Sequence, residues 1–429
     1  MQLLKVAIVT WGSRGDFQPY LALATAFQRA GHEVRLGIQP LAGFTELAAT
    51  HGLELISLAP AAGEEYLRTA DAAIKLSDPV RAVRLILDDL LLPAFEQMHA
   101  RCVELAGWAD VMICHFLQIA GRTAAETTGT PCITGTLVPT QIPTGSRPPE
   151  GLPSLGRRIN RAAWGLAGGY MNKAWLSPIN RARESVSLGP LDDVASRGFY
   201  SSEMNLVAVS PTVFPRPRDW PPRHRMTGFW LLDPPANWTP PAEVAEFLST
   251  GPAPIAVGFG SMTTADNDHL TTTVLEAIEL AGVRAVLDPG MAELGDRSLP
   301  DGVILGRDVG HAWLLPRVAA IVHHGGMGTS AAAFHSGVPS VVVPHVFDQF
   351  TWARLAAELG VAPPPVPFSR LTAPSLAAAI SAAVGDQSYR SSGRALREKL
   401  ELEDGAGTAV GLVEDFLAHG PAPAGSRSA

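Results

Sequence analysis

The chain has 429 residues, more than one ordinary core accommodates, and reads as two domains of roughly 200 residues each. A formal net charge of -8 argues against a nucleic-acid partner, because such surfaces cluster Lys and Arg to displace counterions. Cys102, Cys114 and Cys132 lack the close paired spacing of zinc or redox sites and read as reduced, buried thiols.

The run Leu3 to Thr10 is too short for a signal core and passes straight into a glycine-bearing loop, so it reads as the first strand of a cytoplasmic protein. No apolar run reaches the roughly 18 residues that mark a membrane span. The strand Val6 to Thr10 is followed by a helix from about Pro19 to Ala30, stopped by Gly31, and by the strand Glu33 to Ile38. Val111 to Cys114, a helix to about Thr128 and Cys132 to Leu137 repeat that rhythm, which belongs to a parallel, doubly wound sheet. Pro139 to Ser154 is rich in Pro, Gly, Thr and Ser and reads as a long surface loop.

From Leu155 to about Ser177, Arg157, Arg158, Arg161 and Lys173 alternate with Ile159, Trp164, Leu166, Met171 and Trp175. Such a helix rests on a membrane surface or packs over a pocket, and the second is favoured. Proline is dense from Phe214 to Pro241 and marks the boundary between domains. A second α/β repeat follows, with strands at Ile255 to Phe259, Ala285 to Asp288, Val303 to Leu305, Ala320 to His323 and Ser340 to Val343. Gly411 to His419 reads as a last helix and the tail from Gly420 as disordered. The expected division is a first domain over 1–215, a linker over 216–241, a second domain over 242–403, a helix over 404–419 and a tail.

Three glycine-bearing turns follow strands and open helices, where amide hydrogens and the helix dipole attract phosphate. They run from Gly12 to Asp16, from Gly258 to Met262 and from His324 to Thr329. None carries the lysine of a P-loop or the spaced dinucleotide fingerprint. In the third, Gly325, Gly326 and Gly328 let the backbone approach phosphate oxygens, Thr329 offers a hydroxyl and His324 a ring N–H for a departing diphosphate. A plain tight turn around a core histidine is the alternative. Further on, Asp348 and Gln349 stand side by side, either to hold vicinal sugar hydroxyls or to cap a helix.

Val309-Gly310-His311-Ala312-Trp313-Leu314-Leu315-Pro316, His323 to Thr329, and Asp348-Gln349 together resemble the nucleotide-sugar signature of family 1 glycosyltransferases. The bacterial sterol-type and antibiotic enzymes are the most similar group, since they share the Gly12 to Asp16 turn and a Thr227-Gly228-Phe229-Trp230 segment. The resemblance implies the α/β fold called GT-B: two facing Rossmann-like domains with parallel sheets, an interdomain cleft and a final helix crossing back. It places the base around Val309 and Trp313, the diphosphate on Ser13, Gly15, Ser261, His324, Gly325, Gly326, Gly328 and Thr329, and the sugar against Asp348 and Gln349. Ala312 departs from the pattern, where relatives often carry Asp.

No histidine lies between Val9 and Gly31, so Asp16 is the expected general base and His324 its counterpart at the leaving group. Asp16 also suits a helix N-cap, and the two roles coexist. Asp348 is the second choice of base, and His115 is a pocket residue expected to meet the acceptor. Asp266-Asn267-Asp268 spells a metal-binding string but reads as a helix start, so no metal or other cofactor is expected. The implied reaction is inverting transfer of a hexose from a nucleotide-diphosphate sugar to a hydroxyl of a lipophilic acceptor. UDP-glucose is favoured over a dTDP-sugar, and a sterol or secondary-metabolite aglycone is the expected acceptor. The alternatives are a GT-B enzyme working on a lipid-linked or cell-wall glycan at a membrane surface, and a ligand-binding protein without catalysis. The oligomeric state is left open.

Overall fold

The computed structural model describes residues 3–63, 66, 68–69, 72–73, 76, 78–235, 237–260, 267–289, 299–307 and 309–420. Two compact units divide it, one of residues 1–232 with 404–429, the other of residues 233–403.

The first unit is built on seven parallel strands: β1 (Lys5–Val9), β2 (Glu33–Ile38), β3 (Leu55–Ser57), β4 (Val111–His115), β5 (Cys132–Thr136), β6 (Met204–Val207) and β7 (His224–Met226). Their order across the sheet is β3-β2-β1-β4-β5-β6-β7. The central strands are apolar on both faces, as a sheet covered on both sides requires: Val6 to Val9 and Val111 to Cys114 are fully buried. Register sets Val9 beside Cys114. Chain order reverses between β1 and β4, which makes their C-terminal ends the switch point where open α/β sheets bind ligands.

Five helices of this unit bear on the site or its setting: α1 (Arg14–Arg29), α2 (Phe95–Trp108), α3 (Ile119–Thr128), α4 (Arg157–Ser185) and the last helix of the chain, Gly405–His419. That last helix, expected over 404–419 with its clearest pattern from Gly411, starts at Gly405 and packs on α1, where Glu414 Oε1 meets His32 Nε2 at 2.9 Å. The basic, aromatic segment is helical but runs past Pro178 to Ser185, and its indoles fasten it: Trp164 Nε1 donates to Arg147 O and Trp175 Nε1 to Val80 O. Strand β7 lies within the expected linker. An edge strand tolerates neighbouring prolines, so Pro221 and Pro222 precede it without ending the sheet.

The second unit has β8 (Ile255–Gly258), β9 (Ala285–Leu287), β10 (Val303–Leu305), β11 (Ile321–His323) and β12 (Ser340–Val342), parallel and ordered β10-β9-β8-β11-β12. Its switch point lies between β8 and β11, where Gly258 pairs with His323. The helices that matter here are α5 (Asn267–Ala281), α6 (His311–Leu314), α7 (Met327–Ser336) and α8 (Gln349–Glu358); the last helix of the chain is therefore α9. Among the described residues no helix is long and apolar enough to cross a membrane.

Candidate active site

In the first unit the site grows from the turn after β1. Gly12 adopts φ +117°, and a side chain there would collide with the Asp16 carboxylate. Ser13 caps α1, its Oγ accepting from Gly15 N at 3.3 Å. Asp16 closes the capping box: its Oδ2 accepts from Ser13 N at 2.9 Å and from Ser13 Oγ at 3.1 Å. The helix thus starts at Arg14, five residues before the expected Pro19, because a satisfied capping box outweighs one proline inside the helix. Asp16 is accordingly the third residue of the helix and not its N-cap. Gly15 is exposed, and a side chain would meet nothing nearer than Ser13 Oγ at 3.6 Å.

Beside this turn stands His115, the last residue of β4. The expectation of a pocket residue is corrected, since the imidazole is 1% exposed. Its Nδ1 accepts from Leu117 N at 3.3 Å, and its Nε2 lies 3.8 Å from Asp16 Oδ1. Burial pushes its pKa down to about 3, so the ring is neutral at physiological pH. Tyr20 packs edge-on against it and donates its hydroxyl to Gly135 O at 2.7 Å. Gln118 ties the two strand ends together, its Nε2 donating to Thr10 O at 3.3 Å.

In the second unit the turn between β11 and α7 has the form of an anion cradle. Gly325 takes φ +87°, and a Cβ there would lie 2.9 Å from Val342 Cγ1 and 3.0 Å from Gln349 O. Gly326 is the N-cap of α7 and supplies no side-chain hydrogen bond, so the first amides of a ten-residue helix are left for another acceptor. A side chain at Gly326 would overlap His324 Nε2, and one at Gly260 would come within 3.2 Å of His324 Cε1, so two glycines frame that ring. Burial pushes the His324 pKa down to about 4, with His345 and His311 nearby adding repulsion. Its neighbour His323 is fully buried, pushed down to about 3, and accepts from Gly325 N at 3.1 Å through Nδ1. Thr329 and Gly328 are half-buried in the first turn of α7. Ser261 lies outside the described residues, as does Asp266 of the acidic string. Asn267 opens α5 and Asp268 sits exposed in its first turn.

Asp348 occupies the N-cap position of α8 but makes no capping bond; its Oδ2 accepts from Trp352 Nε1 at 2.9 Å instead. Burial raises its pKa against the lowering effect of that bond. Gln349 is buried, and its Oε1 accepts from His345 N at 2.8 Å and Val346 N at 3.1 Å. The turn between them is strained, with Phe347 at φ +51°. Val309 and Trp313 pack on the core cluster around Leu314, Val318 and Ile321. The Trp313 ring meets Trp238 edge-on at 5.8 Å and carries Arg317 above it at 4.6 Å. The sequence places Gly12 and Gly260 in their glycine turns without showing the close approach each makes, and it gives no local signal for Trp238.

Residues 6–123 match the glycosyltransferase family 28 N-terminal domain, and residues 282–407 the C-terminal domain of proteins like erythromycin biosynthesis protein CIII. The chain is 30% identical to the O-mycaminosyltylonolide 6-deoxyallosyltransferase of Streptomyces fradiae, over 96% of its own length and 97% of that protein. This chain belongs to the sterol and antibiotic glycosyltransferase family. A sterol 3-beta-glucosyltransferase of Arabidopsis thaliana is 31% identical over 97% of this glycosyltransferase, which spans 66% of the plant protein's length. The crystal structure of glycosyltransferase VinC in complex with dTDP superposes with a TM-score of 0.69 at 21% identity, covering 97% of this chain and 100% of that one. The glycosyltransferase therefore has the GT-B fold, with two Rossmann-like units.

Proposed function

We propose that this enzyme transfers a hexose, with inversion, from a nucleotide-diphosphate sugar to a hydroxyl of a lipophilic acceptor such as a sterol or a secondary-metabolite aglycone. The observation that carries the reading is the turn from His324 to Thr329: uncapped helix amides, glycines that admit no side chain, and a neutral imidazole together suit a departing diphosphate. The acceptor oxygen attacks the anomeric carbon as the bond to the diphosphate oxygen breaks. The acceptor's proton passes to Asp16, and the diphosphate leaves with its negative charge toward the amides of α7 and His324. Amides and imidazole supply the electrostatic stabilisation that a metal gives elsewhere, so the reaction is proposed to need neither metal nor cofactor.

Gln349 Nε2 and the Asp348 carboxylate suit a sugar with its ring hydroxyls intact, which favours UDP-glucose; the dTDP bound by VinC keeps a dTDP-sugar as the second donor. The named substrates of the plant and Streptomyces relatives support a polycyclic or macrocyclic acceptor. The test is a donor panel against sterols and macrolide aglycones, followed by released nucleoside diphosphate. Asp16→Asn should lower kcat by about a hundredfold or more, the scale of a lost general base, with nucleoside-diphosphate affinity retained. Unchanged turnover in that variant removes Asp16 from the mechanism.

A second reading, action on a lipid-linked glycan at a membrane surface, rests on α4. Ile159, Leu166 and Tyr170 are exposed on it, with Arg158 and Lys173 exposed nearby. Flotation of the protein with vesicles of anionic phospholipid tests it, and absence of binding discards it.

A further inference from the structure

At the switch point of the first sheet His115 ends β4 and faces the carboxylate of Asp16, while Thr10, directly after β1, donates its Oγ1 to Asp16 O at 3.3 Å. The two oxygens of that group have different surroundings. Oδ2 is committed to the capping box through Ser13 N and Ser13 Oγ. Oδ1 faces His115 Nε2 at 3.8 Å. Because Nδ1 of His115 accepts from Leu117 N, the proton of the neutral ring resides on Nε2. That nitrogen is buried and has no hydrogen-bond partner, which is costly unless the donor is used.

We infer that His115 is a positioning residue for transfer, whose buried Nε2–H closes onto Asp16 Oδ1 and fixes the carboxylate while its remaining lone pair receives the acceptor's proton. The inference rests on Asp16 being the general base. A movement of about 1 Å brings the pair within hydrogen-bond distance, and bonds of this kind commonly tighten only with substrate in place. The ring has aromatic neighbours that restrict large rotations: Tyr20 packs edge-on against it at 5.6 Å and the Phe116 ring lies 4.6 Å away. Nor does it compete for the proton, because burial holds it neutral. Among the described residues, the other ionisable groups that respond to the Asp16 charge are Tyr20 on α1 and Tyr66, both kept un-ionised by burial and by that charge. An N–H donated to the ionised carboxylate favours that form, so its loss makes the base easier to protonate.

The test compares His115→Phe with His115→Gln, whose amide N–H reaches about as far as Nε2, in the full-length enzyme. Phe should lower kcat about tenfold, the size of one hydrogen bond to a charged group, with KM for the sugar nucleotide unchanged. It should also move the acidic limb of the kcat profile to higher pH, and Gln should restore most of both. Wild-type kcat and an unmoved acidic limb in His115→Phe overturn the inference while Asp16→Asn stays inactive; an active Asp16→Asn overturns the base assignment itself. A readout independent of the buried substitution is the 15N spectrum of histidine-labelled enzyme. The Nε2 resonance of His115 should report the Nε2–H form and shift in Asp16→Asn, and a signal of the Nδ1–H form, or no shift, refutes the pairing.

Discussion

Trp352 Nε1 donates to Asp348 Oδ2 at 2.9 Å, one turn along α8, so the indole holds the carboxylate that the sequence pairs with Gln349. The bond takes the place of helix capping. Trp352→Phe keeps most of the buried ring but removes the donor. We expect KM for the sugar nucleotide to rise about tenfold, with the free nucleoside diphosphate binding as before. Calorimetry with the diphosphate alone separates the two effects, and an equal loss for both ligands contradicts a sugar-directed role for Asp348.

Gly325 and Gly326 are neighbours whose replacement by alanine should fail in different ways. Gly325 needs its left-handed backbone and has Val342 and Gln349 against it, so Gly325→Ala should cost about 1–2 kcal/mol of stability. Gly326 has φ -62° and ψ 146°, open to any residue, but its Cβ would displace His324. Gly326→Ala should therefore melt near the wild-type temperature while diphosphate affinity drops about tenfold. Matching phenotypes for the two variants would show that the turn is structural only.

The buried histidines make stability pH-dependent. His323 and His324 titrate at about 3 and about 4 in the folded chain, whereas unfolded histidine takes its proton near pH 6.5. Between those values the unfolded chain binds more protons, so stability falls as pH drops below about 6.5 and is level above it. His115 and His224, both pushed down to about 3, steepen the same slope. Urea midpoints from pH 7.5 to 4.5 should trace this fall. His323→Asn keeps an acceptor for Gly325 N and should flatten it, so an unchanged slope in the variant argues against the assignment.

Much of this was legible in the chain because alternation of apolar runs with glycine turns is a local signal. All five strands of the second sheet lie where β-branched runs place them, within a residue or so. What escaped depends on partners distant in sequence. Pro19 drew the start of α1 too late, although Ser13 and Asp16 already spelled a capping box. His115 looked like a pocket residue because nothing local reveals that Tyr20 and Phe116 enclose it. The sequence pairs Gln349 with Asp348 for vicinal sugar hydroxyls, yet the Gln349 oxygen is spent on the strained backbone turn before α8. The extent of α4 beyond Pro178 also rests on tertiary support, with Pro178 and Ile179 buried and Arg183 bonded to Glu126.

Helix α9 belongs to the first unit although it follows the second in the chain. Its entry is tight: Gly405 sits so close to the Phe229 carbonyl that no side chain fits. The ribosome thus releases the β-sheet of the first unit long before the helix that covers α1, and the face that receives α9 stays bare while residues 233–403 are being synthesised. A nascent chain stalled before Gly405 would display that apolar surface to chaperones, and a premature stop near the C-terminus would injure the half of the protein encoded at the other end of its gene.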